Sequence, residues 1–88
     1  MANDTAFAHA YRMATAHLLE AIANPTQRGF SAAYKWAGIA RANAYGDDVA
    51  VGDEWDTADT LRYSIRAAAK YAGYEVRRAV MAYSEPPF

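Results

Sequence analysis

Apolar side chains return every three or four positions along three stretches of this chain, and breaker or acidic residues separate the stretches. In the first, Phe7, Ala10, Tyr11, Ala14, Leu18, Ala21 and Ile22 share one face. This predicts a helix over about 4–23, capped by Asn3 or Asp4. Asn24-Pro25 ends it, because the residue before proline avoids the α region. In the second, Ala33, Ala37, Ala40 and Ala44 form a stripe of small side chains with Phe30, Tyr34 and Trp36 beside it. A helix over 27–44 follows, capped by Thr26, or by Ser31 since Gly29 weakens the first turn, and stopped by Gly46. A small-residue stripe lets another helix approach closely. The short Asn-Pro-Thr link makes the first helix its partner in an αα-hairpin.

The third stretch, 56–83, is the longest and runs without proline. Asp56 or Thr57 caps it, and the helical repeat divides it into three strips. Leu61, Ile65, Ala68, Ala72, Val76, Ala79 and Tyr83 are apolar; Arg62, Arg66, Lys70 and Arg77 are basic; Tyr63, Tyr71, Tyr74 and Met81 take the remaining side. A helix over 57–83 would be about 40 Å long. A compact chain of this size is roughly 30 Å across. Two expectations follow: a break near Gly73, or a projecting end covered by a second copy of the chain.

Residues 46–56, GDDVAVGDEWD, are a loop by composition, and the alternation of Val49, Val51 and Trp55 suits side chains that pin it to the core. The expected fold is all-α: a small three-helix bundle, an αα-hairpin plus one long C-terminal helix, in a single domain over 1–85 with a short tail over 86–88. Its core should join Phe7, Tyr11, Leu18 and Ile22 to Phe30 and Trp36, and to Leu61, Ile65, Ala72 and Val76.

Composition supports a core, since 53% of the 88 residues are hydrophobic and seven are Tyr. The lack of cysteine excludes disulfides, thiolate metal sites and a cysteine nucleophile, and it fits a reducing cytoplasm. The sequence begins without a basic region followed by an apolar run, and no apolar stretch approaches the roughly 18 residues of a membrane span. A cytoplasmic protein with no membrane contact is expected. A net charge of −1 gives no overall pull toward nucleic acid, but the charge is divided along the chain. Asp47, Asp48, Asp53, Glu54, Asp56 and Asp59 fall in a stretch that holds no base, whereas Arg62, Arg66, Lys70, Arg77 and Arg78 follow with Glu75 as the single acid among them.

Catalytic motifs are weak. Tyr45-Gly46-Asp47-Asp48 matches a signature of RNA-dependent polymerases, whose paired aspartates hold two metals, but that chemistry needs a β-hairpin and a far larger chain. The acidic run does not fit the spacing of a calcium loop. His9 and His17 stand two turns apart, about 12 Å along the axis, too far to share one ion. The glycines are scattered and build no phosphate loop. No catalytic residue, metal or cofactor is expected.

A non-enzymatic protein-binding module is the leading expectation. It would use the acidic stretch (Asp47, Asp48, Asp53, Glu54, Trp55, Asp56, Asp59) or the long helix (Arg62, Tyr63, Arg66, Lys70, Tyr71, Tyr74, Arg77). One version is a small accessory or inhibitor protein of a mobile genetic element, anti-CRISPR-like, acting on a host nucleic-acid-handling complex. Two other classes compete with it. In one, the basic and tyrosine sides bind nucleic acid through phosphate contacts and base stacking. In the other, the protein is a structural homo-oligomer, such as a homodimer.

Overall fold

A computed structural model describes residues 6–44 and 52–76. The described residues form three helices: α1 (Ala6–Ala23), α2 (Gln27–Ala42) and α3 (Gly52–Tyr71). This is the all-α three-helix bundle that the hydrophobic periodicity predicts. The cap positions Asn3 and Asp4, the stop at Gly46, the pinning residues Val49 and Val51, and positions 77–83 of the expected long helix lie outside the described residues.

The second helix is the central element. Both α1 and α3 pack along α2, while α1 and α3 hardly touch each other. Its Phe30, Ala33, Tyr34, Ala37 and Ala40 are all buried. Thr26 caps α2 as expected: its extended backbone turns the side chain back, and Oγ1 accepts the Gly29 N–H at 2.9 Å. The glycine that weakens this first turn has a packing reason. A Cβ built on Gly29 would stand 3.2 Å from the Ala21 Cβ and 3.0 Å from Thr26 Oγ1. The hairpin closes so tightly there that a side chain would crowd it. At the other end of α2, the Asn43 side-chain amide donates to the Ile39 carbonyl at 2.8 Å and its backbone N–H is shared between Ile39 and Ala40.

Small side chains fill most of the core. Ala10, Ala14 and Ala21 of α1 and Ala33, Ala37 and Ala40 of α2 are all buried, as are Ala58 and Ala69 of α3. Phe30 and Ile65 are the largest fully buried side chains among the described residues. Phe7 and Tyr11 stack on each other at 5.8 Å and cover the smaller cluster of Ala10, Ala40 and Ala58. Two expected core positions are corrected. Ile22 is 54% exposed, because Ala21 takes the inward position at the closed end of the hairpin. Ala72 is exposed because the chain has already left the helix there.

The third helix starts earlier than expected, and of the two expectations for its far end it takes the break near Gly73. It begins at Gly52, so 52–56 are helical and not loop. Acidic residues early in a helix face its positive pole, and a cluster such as Asp53-Glu54 therefore serves a helix start as well as a solvated loop. It ends at Tyr71 and not near 83. Gly73 adopts φ +94°, the Tyr74 N–H donates to the Ala69 carbonyl at 2.8 Å, and the Gly73 N–H donates to Lys70 at 3.0 Å. This pair of bonds, closed by a left-handed glycine, is a Schellman stop. Twenty residues span about 30 Å, so α3 fits within the width of the domain. Beyond the stop the chain folds back under the α1–α2 turn. The Tyr74 ring lies 5.8 Å from Phe30, its hydroxyl donates to the Pro25 carbonyl at 3.4 Å, Gln27 Nε2 donates to the Glu75 carbonyl at 3.1 Å, and Val76 is buried.

Candidate partner-binding surface

The buried stripe of α3 runs through Ala58, Ile65 and Ala69, and the helical repeat brings Arg62 into the same stripe. Arg62 therefore leaves the exposed basic strip that the sequence suggested. Its side chain is 12% exposed and crosses to α2, where Nη2 donates to the Tyr34 hydroxyl at 2.8 Å and the guanidinium lies 4.7 Å over the Tyr34 ring. The guanidinium passes Gly38, where an added Cβ would stand in ordinary contact with Arg62 Nε at 4.0 Å. That Nε is buried without a hydrogen-bond partner among the described residues. Asp59 binds Arg41 of α2 through Nη1 and meets Arg62 Nη1 at 3.5 Å. Arg41 in turn lies 5.0 Å over the Trp55 ring. Trp55, Asp59 and Arg62 are thus drawn toward α2 and hold α3 to it.

This divides the residues that the sequence singled out. Asp59, Trp55 and Arg62 serve the α2–α3 contact. Asp56 is exposed on α3, Glu54 is half-buried, and Asp53 stands in the first turn. Asp47, Asp48 and Arg77 lie outside the described residues. The acidic group is therefore not one loop surface, because Asp53, Glu54, Asp56 and Asp59 lie on a helix, where Asp56 is exposed and Glu54 and Asp59 are half-buried.

What remains outward is the far side of α3. Tyr63 is 62% exposed and Tyr71 95% exposed, and Arg66, Ala67 and Lys70 are exposed between them. Among the described residues no ion pair holds Arg66 or Lys70. Tyr63, Arg66, Ala67 and Lys70 line a shallow groove of about 670 Å³, closed at its C-terminal end by Gly73, Tyr74, Glu75 and Val76. The Schellman stop builds this end, because it turns the chain back across the last turn of α3.

No family model matches the chain, and no curated protein or solved structure is significantly similar to it. Function must therefore be read from the surface itself. Among the described residues no helix is long and apolar enough to cross a membrane, and no three His, Asp or Glu side chains converge as a metal site requires. His9 packs edge-on to Trp36 at 5.7 Å between centroids. Sequence reasoning missed the inward turn of Arg62.

Proposed function

We propose that the protein is a non-enzymatic interaction module that binds another protein through the outward face of α3. One observation carries the reading: Tyr63 and Tyr71 are largely exposed beside Arg66 and Lys70, and among the described residues none of the four is buried or holds an ion pair. Tyr and Arg are enriched at protein interfaces because each offers a large contact area with a polar end. The accessory- or inhibitor-protein version rests on small size and charge segregation, and the geometry of α3 adds nothing to it. The nucleic-acid reading loses ground because Arg62 is committed to the fold. Arg66 and Lys70, the exposed described cations of that strip, would by themselves give a log–log salt slope of only about −2.

The test is affinity capture from cells that express the protein, with the wild-type chain and an Arg66→Glu/Lys70→Glu/Tyr71→Ser variant side by side. The expected result is a protein retained by the wild type and lost by the variant while the melting temperature stays put. Equal retention by both chains overturns the reading. So does tight duplex-DNA binding whose salt slope is much steeper than about −2, which would make the nucleic-acid reading the better one.

A further inference from the structure

We propose that the partner seated on this face is a second copy of the chain, its α3 lying antiparallel to the first with Tyr63 on the two-fold axis. The proposal rests on the binding-surface reading above and names the occupant. Asp56, Thr60, Tyr63, Ala67 and Lys70 are all exposed, and their spacing of four, three, four and three is that of a helix-pairing seam. Counting seven residues, or two turns, from Tyr63 reaches Asp56 in one direction and Lys70 in the other. A two-fold axis through Tyr63 therefore sets Asp56 against the partner's Lys70, and Lys70 against the partner's Asp56. An isologous interface repeats each contact in this way.

Among the described residues no ion pair holds Asp56 or Lys70 within one chain. The small Ala67 faces the partner's Thr60 and lets the helices approach, while the two Tyr63 rings meet at the centre. The same register lays the start of the partner's α3 into the groove between Lys70 and the Gly73–Tyr74 stop. Charge along α3 favours this direction over the parallel one. On its exposed side Asp56 lies in the first half and Arg66 and Lys70 in the second, so antiparallel copies oppose unlike charges and a parallel pair would oppose like ones. A helix face about 30 Å long buries on the order of 1,000 Å² across both copies, at the low end of specific interfaces. The expected dissociation constant is on the order of 10 μM.

Sedimentation of the full chain up to ~1 mM, well above that constant, tests the proposal. The wild type should be dimeric and should dissociate as salt rises. Asp56→Lys alone and Lys70→Glu alone should each weaken the dimer about tenfold or more, since each places like charges together twice. The double swap Asp56→Lys/Lys70→Glu should restore it to within about threefold. Tyr63→Arg, at a position the fold leaves open, should also abolish it and guards against a folding artefact of the swaps. A wild type that stays monomeric overturns the proposal, as does a dimer indifferent to the single changes or not rescued by the double one. If a monomeric wild type still captures another protein that Arg66→Glu/Lys70→Glu/Tyr71→Ser loses, self-pairing falls and the binding-surface reading stands.

Discussion

Against α1, the central helix sets Gly29, Ala33 and Ala40, which meet alanines; against α3 it sets Tyr34, Gly38 and Arg41, which meet Arg62, Asp59 and Trp55. The first seam gains its stability from proximity. Alanines bury little area each, so the helices must come close for the backbones themselves to make contact. The second seam is held by long side chains with cationic or aromatic ends, and by one charge relay from Trp55 to Tyr34. Close-packed small residues tolerate little added volume, whereas a network of long side chains tolerates local adjustment but depends on each member. The two seams should therefore fail in different ways.

The largest effect is expected from Ala33→Leu. It forces three carbons into a contact that is fully buried, and overpacking of this kind costs about 3 kcal/mol, read as a lower urea midpoint. Arg62→Ala comes next, at about 2 kcal/mol, from the lost stacking on Tyr34 and a hydroxyl left without its partner. Tyr34→Phe keeps the ring under the guanidinium and should cost about 1 kcal/mol. In a double-mutant cycle these two changes should couple by about 0.5 kcal/mol or more, whereas Ala33→Leu with Tyr34→Phe should couple less. Gly29→Ala should have the smallest effect. A gain in helix propensity of up to about 1 kcal/mol is offset by crowding against Ala21 and Thr26, for a net change within about 0.5 kcal/mol.

Much of this was legible in the sequence. The alanine stripe of α2 and the Asn-Pro-Thr link announced the hairpin because small-residue spacing and proline act locally. The cap at Thr26 was readable for the same reason. The position of α3 was less so. Its start at Gly52 was hidden by an acidic composition that suits a loop and a helix start equally. Gly73 was visible as a possible break, but whether a glycine kinks a helix or ends it depends on what lies beyond, here the docking of Tyr74 and Val76 under Phe30 and Pro25. Arg62 was misplaced because periodicity assigns a charged residue to the surface. Only the ring and hydroxyl of Tyr34 make its inward turn favourable, and they meet it only once two helices have packed.

The central claim is that α3 has one side spent on the fold and another left for a partner. Matched charge reversals test it most directly: thermal melts of Arg62→Glu and Arg66→Glu, bases one turn apart on the same helix. Arg62→Glu should lose about 3 kcal/mol, since it sets a carboxylate beside Asp59 at a nearly buried site. Arg66→Glu should stay within about 0.5 kcal/mol of the wild type. Equal losses in the two variants would contradict the division.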